Sequence, residues 1–147
     1  MDQIDQGILR ELSVNGRATV SEISKQVRLS VPAVAERIRK LEESGVIESY
    51  TVQIDRRKSG YGLMAFISVR IDSTEHIGAF REAVLRFPAV LECHHIAGPY
   101  DYLLKVLVED TEALEKFLSD SLKRISGVAG SNTAVVLSTL KERINPY

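Results

Sequence analysis

The spacing of apolar residues changes partway along the chain, and this change limits the fold more than any other sequence feature. In the first third, apolar residues recur at helical spacing, beginning with Ile4, Ile8, Leu9 and Leu12. In residues 63–72 every second residue is apolar, which is typical of a half-buried strand. A chain of 147 residues is long enough for two small domains. We therefore expect a helical domain followed by a domain that contains a sheet.

Capping signals divide the helical part into three short helices. Thr19 and Glu22 form a capping box, which satisfies two free backbone N–H groups at the start of a helix. Ser30 is a suitable N-cap for the third helix, and Pro32 is tolerated in its first turn. Gly45 is placed to end that helix. We expect residues 46–54 to be extended.

The remainder alternates strands and helices in the order βαββαβ, which is that of a ferredoxin-like split βαβ unit. We predict an α+β fold, with a helix-turn-helix domain over residues 1–54, a polar, glycine-bearing linker over 55–62 and a ferredoxin-like domain over 63–147. Helices cover only one face of such a sheet, so a partner chain is the natural cover for the other face. The predicted strands are residues 63–72, 90–97, 102–109 and 128–140.

The net charge of −1 argues at first against a nucleic-acid partner, but the distribution of charge matters more than the sum. Residues 25–40 contain five basic side chains and one acidic side chain, a local charge of +4. Residues 60–147 contain nine basic and eleven acidic side chains. A local basic surface suits a protein that docks on phosphate through one element. A solvated helix face would explain the same pattern.

Two short helices joined by a tight turn, with the second helix basic, are the physical requirements of a helix-turn-helix. Side chains near the start of the second helix should be small to enter the major groove, and arginine can bond guanine edges or phosphate. Plain helical bundles share this helix pattern. As a helix-turn-helix, the chain would bind double-stranded DNA through Arg28, Ser30, Val31, Pro32, Ala33, Glu36, Arg37, Arg39 and Lys40.

The N-terminal residues resemble the DNA-binding half of the Lrp/AsnC (feast/famine) transcription regulators. The resemblance lies in Ile4-Asp5-x-x-Ile8-Leu9-x-x-Leu12, Gly16-Arg17, Leu29-Ser30 and Arg37-x-x-x-Leu41-Glu42-x-x-Gly45-Val46-Ile47-x-x-Tyr50. The C-terminal half resembles the ligand-sensing domain of the same family. Its matching residues are Glu92-Cys93-His94, Gly98-x-x-Asp101-Tyr102-Leu103-Leu104-Lys105, Gly127-Val128 and Thr133-x-Val135-Val136-Leu137. The resemblance implies a DNA-binding regulator that responds to an amino acid and assembles as a homodimer and further into an octamer.

The sequence departs from the family pattern in the turn before the third helix. Arg28 stands where family members often have glycine, which adopts positive φ at little cost. Val31 separates Ser30 from Pro32, whereas the family often places proline directly after the serine. These changes put any base contact transferred from the family in doubt.

The resemblance also implies an amino-acid pocket around the segment between the second and third strands. Gly98, Tyr100 and Asp101 would line it, with the Asp101 carboxylate accepting bonds from an α-ammonium group. Ser131 and Thr133 would complete a polar rim. Gly, Pro and Asp are also turn formers, so residues 98–102 read equally as a hairpin turn in which Asp101 caps its own backbone.

The remaining motifs do not indicate an enzyme. No catalytic triad, phosphate-binding loop or zinc motif can be assembled, and we expect no cofactor. Residues 92–95, Glu-Cys-His-His, put two candidate ligands on each side of a strand, which does not complete a zinc site. The lone Cys93 and the absence of a long apolar run favour a cytoplasmic protein without a membrane partner. Two alternatives stay open: an architectural DNA-binding protein without an effector, and an amino-acid-binding protein that does not bind DNA.

Overall fold

The computed structural model describes all 147 residues, and the chain divides into two compact units. The helical unit comprises Met1–Gln53 with Lys141–Tyr147, and the sheet unit comprises Ile54–Leu140. The predicted linker, residues 55–62, therefore falls in the sheet unit. Residues 141–147, assigned above to the second domain, group with the helices because Tyr147 packs against the core of the helical unit.

The helical unit contains α1 (Gln3–Val14), α2 (Val20–Val27) and α3 (Val31–Glu43). The predicted capping box of Thr19 and Glu22 is confirmed at the start of α2. The Ser30 side chain accepts a hydrogen bond from the Ala33 N–H at 3.4 Å, which confirms it as the N-cap of α3. The three helices share one core, which contains the buried side chains Ile8, Leu9, Ile23, Val34 and Leu41.

Residues 46–54, expected to be extended, form no strand. The chain instead turns back on α3: the Ile47 N–H donates to the Leu41 carbonyl at 3.0 Å, and the Tyr50 hydroxyl donates to the Glu42 carboxylate at 2.8 Å. Without a neighbouring strand, the backbone of this segment has no ladder to join. Val52 remains 75% exposed.

The sheet unit is built from β1 (Leu63–Ile71), α4 (Ile77–Val84), β2 (Val90–His95), β3 (Tyr102–Val108), α5 (Thr111–Lys116) and β4 (Val128–Val135). The strand order is β2-β3-β1-β4, and every neighbouring pair is antiparallel. This topology confirms the predicted ferredoxin-like α+β fold.

The predicted last strand is too long at its C-terminal end. The Val136 N–H donates to the Met64 carbonyl at 2.8 Å, and β1 begins at Leu63, which lies opposite Leu137, so β1 offers no partner beyond Leu137. Leu137 and Leu140 are accordingly 89% and 97% exposed. The second helix of the predicted βαββαβ order also departs from a regular α-helix, since α5 continues through a π-type turn at Phe117–Ser121 and a 3-10 turn at Leu122–Arg124.

The two faces of the sheet differ in burial. On the inner face, cross-strand partners such as Ala65 and Val106 or Ile67 and Leu104 are fully buried with Phe80 of α4. The outer face carries half-buried side chains that no helix of the chain covers. They include Phe66, Leu103, Lys105 and Leu107. Apart from Met64, which Arg56 contacts, the outer face is therefore a largely apolar surface that no helix covers.

Candidate functional site

The start of α3 presents small and weakly polar side chains to solvent. Ser30, Val31 and Pro32 are exposed, and Ala33 is half-buried. Val31 is 45% exposed although it is apolar. The structure thus brings these four predicted residues together at the start of α3. No long side chain there would hold the helix away from the base edges in a DNA groove.

Arg37 does not project into solvent as the sequence pattern suggests. Its Nη1 donates to Asp2 Oδ2 at 2.8 Å and to Asp5 Oδ1 at 2.7 Å. The other oxygens of the two carboxylates cap the backbone of α1, because Asp2 Oδ1 accepts from the Asp5 N–H at 2.9 Å and Asp5 Oδ2 accepts from the Asp2 N–H at 3.0 Å. Arg37 therefore ties the middle of α3 to the start of α1.

This network also changes the protonation of Asp2. The Asp5 backbone N–H, followed by the Arg37 guanidinium, lowers the pKa of the Asp2 carboxyl below its ordinary value. The ionised carboxylate is therefore the form that the folded helical unit stabilises.

The other cations of α3 are paired with acids of the same helix. Arg39 bonds Glu36 at 2.7 Å and also pairs with Glu43, and Lys40 lies 3.6 Å from Glu36. Arg39 and Lys40 nevertheless remain 52% and 68% exposed. Exposed pairs of this kind contribute little to stability, so a phosphate can compete for the cations.

Arg28 lies between α2 and α3 in a left-handed conformation, with φ 55° and ψ 45°. It is the only non-glycine residue of the chain with positive φ. Its side chain is exposed and forms no ion pair in the structure. Arg28 therefore accepts a left-handed conformation that favours glycine, and it offers an unneutralised cation beside α3.

Other cations of the helical unit share this lack of an ion pair, although the sequence pattern does not single them out as site residues. Their chemistry matches a phosphate-binding surface, but helical spacing alone could not show which basic side chains would find acids. The exposed cations without an ion pair include Arg10 and Arg17.

In the sheet unit, Asp101 joins the turn between β2 and β3 to the end of β1. Its N–H donates to the Val69 carbonyl at 2.9 Å, and its Oδ2 accepts from the Ile71 N–H at 2.7 Å. The carboxylate thus bonds a neighbouring strand rather than its own turn. Nearby, Gly98 has φ 137°, a conformation that favours glycine.

The other predicted ligand residues lie on both sides of β1. Ser131 pairs with Val69 and Thr133 pairs with Ile67, so both belong to β4. Ser131 therefore flanks Val69 on the side opposite Asp101. Tyr100 is half-buried beside Asp101. The structure brings Asp101 and Ser131 to the same end of the sheet, with Thr133 two residues further along β4.

Residues 92–95 are engaged within the protein. Glu92 accepts bonds from His94 and Lys105, both at 3.1 Å, while His95 stacks on Tyr102 with ring centroids 5.1 Å apart. Burial raises the pKa of the Cys93 thiol, which keeps it protonated. No group of three or more His, Cys, Asp or Glu side chains is placed to hold a metal ion. None of the helices is both long and apolar enough to cross a bilayer.

Comparison with known proteins assigns both units. Residues 1–48 match the winged helix-turn-helix DNA-binding family, and residues 64–146 match the Lrp/AsnC ligand binding domain. The HTH-type transcriptional regulator FL11 of Pyrococcus horikoshii is 37% identical over 97% of this chain and 93% of its own length. The leucine-responsive regulatory protein of Escherichia coli is 35% identical over 97% of this chain and 88% of its own length.

A solved structure agrees over the same length. The transcriptional regulator NMB0573 of Neisseria meningitidis, crystallised as a complex with L-Met, superposes with a TM-score of 0.94 at 32% identity, covering 98% of this chain and 94% of its own. A DNA-binding helical head followed by a ligand-binding ferredoxin-like domain defines a one-component transcription regulator. The chain belongs to the Lrp/AsnC family of transcriptional regulators.

Proposed function

We propose that the chain binds operator DNA in the cytoplasm through the start of α3 and that an amino acid controls this binding. The observation that carries the DNA site is the exposed start of α3, Ser30 to Pro32, beside the unpaired Arg28. The small side chains enter the major groove, and Arg28 binds phosphate. Arg39 and Lys40 exchange their acidic partners for phosphate, with Glu36 released toward the bases. Arg37 holds α3 in place rather than contacting DNA.

DNA binding is tested by fluorescence anisotropy with duplexes selected from a randomised library, at two or more salt concentrations. Val31→Glu places a carboxylate in the groove, so we expect affinity for the selected duplex to fall at least about tenfold. Lys123→Ala, which removes an exposed cation from the sheet unit, is the control and keeps its affinity. Selection that yields no preferred sequence would favour the architectural alternative, and an unchanged Val31→Glu affinity would move the DNA site away from α3.

The amino-acid site rests on Asp101 at the end of β1, with Gly98, Tyr100, Ser131 and Thr133 around it. The L-Met complex of the Neisseria relative supports an amino-acid ligand. A thermal-shift screen of the standard amino acids tests this. Asp101→Asn is the sharper variant than alanine, because an amide oxygen can still accept the Ile71 N–H while the charge is lost. We expect the shift caused by a responsive amino acid to be strongly reduced in this variant. A full shift would refute the assigned role.

We propose a homodimer, and assembly of dimers into an octamer, with the outer sheet face as the subunit interface. The half-buried, uncovered Phe66 supports an interface there. Phe66→Glu is expected to shift the mass measured by light scattering toward the monomer. Leu85→Glu, on an apolar residue of the sheet unit that is 76% exposed, is the matched control and keeps the wild-type mass. A Phe66→Glu protein of wild-type mass would place the interface elsewhere.

A further inference from the structure

Arg70 occupies a distinctive position at the end of β1. It is exposed, and in the register of the sheet its partner on β4 is Gly130. The pairing of β1 with β4 becomes irregular directly after Arg70, between Arg70 and Ile71. Irregularities of this kind redirect side chains and are common beside functional sites.

Gly130 leaves room for the Arg70 guanidinium to lie across β4. A Cβ at Gly130 would lie 3.2 Å from Arg70 Nη2 and 3.8 Å from its Cζ. The side chain of Arg70 forms no hydrogen bond and no ion pair in the structure. Packing over Gly130 therefore positions the guanidinium, and its N–H donors remain free to bind a ligand.

On the other side of Arg70 lies Asp101. Asp101 bonds the residue before Arg70, through the Val69 carbonyl at 2.9 Å, and the residue after it, through the Ile71 N–H at 2.7 Å. Arg70 and Asp101 are thus neighbouring residues on adjacent segments of the sheet unit. They nevertheless form no ion pair, because the guanidinium leans over Gly130. The second carboxylate oxygen of Asp101, Oδ1, accepts no bond from the protein.

We propose that Arg70 and Asp101 together bind the zwitterionic head of an α-amino acid, with Arg70 on the α-carboxylate and Asp101 Oδ1 on the α-ammonium group. This inference rests on the proposed amino-acid site and names the group that recognises the negative end of the ligand. A guanidinium matches a carboxylate with two parallel N–H donors. An unpaired cation and a carboxylate with one free oxygen on neighbouring residues select a molecule whose two opposite charges are on groups attached to one carbon atom.

The test compares ligands that differ by one charge. The standard amino acids that raise the melting temperature of the full-length protein are titrated calorimetrically beside their α-carboxamides, which lack the negative charge, and their α-hydroxy acids, which lack the positive charge. We expect the wild type to prefer the amino acid over either analogue by about 10- to 100-fold, as charge-assisted hydrogen bonds allow.

The variants assign each preference to one residue. Arg70→Met should bind the amino acid and its carboxamide equally, while Asp101→Asn should lose the preference over the hydroxy acid. Gly130→Ala displaces the guanidinium without removing it and should reduce the first preference only partly. Arg86→Met, which removes an exposed arginine paired with Glu82 on α4 and its C-terminal turn, is the control and should keep both.

The outcomes separate the two proposals. Retention of the carboxamide discrimination by Arg70→Met would overturn the role of Arg70 and leave the amino-acid site standing. Failure of every amino acid to bind the wild type would overturn the proposed effector function and this inference with it.

Discussion

The Arg28→Gly substitution tests two claims at once: that the backbone of Arg28 between α2 and α3 is strained, and that its side chain binds DNA. Arg28 has φ 55° and ψ 45°, a region that costs an L-residue roughly 1–2 kcal/mol. Glycine adopts it freely but gives up about 0.5–1 kcal/mol of additional chain entropy on folding. The net gain in the free energy of unfolding is therefore about 0.5–1 kcal/mol. For a domain of this size that corresponds to a rise in melting temperature of roughly 2–8 °C.

The same substitution removes the unpaired cation, so DNA affinity should fall while stability rises. Loss of one phosphate contact lowers the slope of log K against log salt concentration by about 0.9. Differential scanning calorimetry gives the melting temperature, and fluorescence anisotropy over a salt series gives the slope.

Arg28→Ala separates the backbone effect from the charge. Alanine keeps the unfavourable φ and removes the cation, so it should show the same loss of DNA affinity with no gain in melting temperature. Equal melting temperatures for the glycine and alanine variants would refute the strain argument. An unchanged salt slope in both would show that Arg28 does not reach a phosphate.

The remaining predictions concern the packing of each unit. Arg37→Met should lower the melting temperature of the helical unit by a few degrees, because Asp2 and Asp5 lose their shared donor. The Asp5 N–H and then Arg37 depress the folded-state pKa of Asp2, so this stabilisation is present above the ordinary aspartate pKa of about 3.9 and is lost as the pH falls through the folded value. Unfolding followed by circular dichroism should therefore show a smaller loss on acidification in Arg37→Met than in the wild type. Gly127→Ala should destabilise the sheet unit by at least about 1 kcal/mol, because Gly127 has φ +91° and a Cβ there would lie 2.2 Å from the Cβ of His76.

The controls for these variants lie elsewhere in the same units. Gly78→Ala adds a methyl group to α4 where nothing lies within 4 Å, so it should leave stability unchanged or raise it slightly. A Gly127→Ala protein as stable as Gly78→Ala would contradict the close approach to His76. Arg10→Met removes an exposed cation of α1 that has no acidic partner, and an equal effect of Arg10→Met and Arg37→Met would contradict the ion-pair account.

Much of the fold could be predicted because its signals act over short distances along the chain. The capping box of Thr19 and Glu22 spans three residues, and the Ser30 cap reaches Ala33 within one turn. The alternation of residues 63–71 likewise reports local strand geometry, and the buried Ala65, Ile67 and Val69 follow it. Such interactions depend on side-chain type and spacing, which the sequence contains directly.

Only the tertiary structure decided which partners the individual charged side chains bind. Arg37 meets Asp2 across 35 residues and Asp5 across 32, and Asp101 reaches Ile71 across 30. Helical periodicity showed that Arg37 could face outward, but the packing of α1 against α3 placed two carboxylates within its reach. The early end of β4 has the same origin, because a strand continues only while a neighbour supplies hydrogen bonds. Pairings between distant residues depend on how elements pack, and that information is spread over the whole chain rather than held in any one motif.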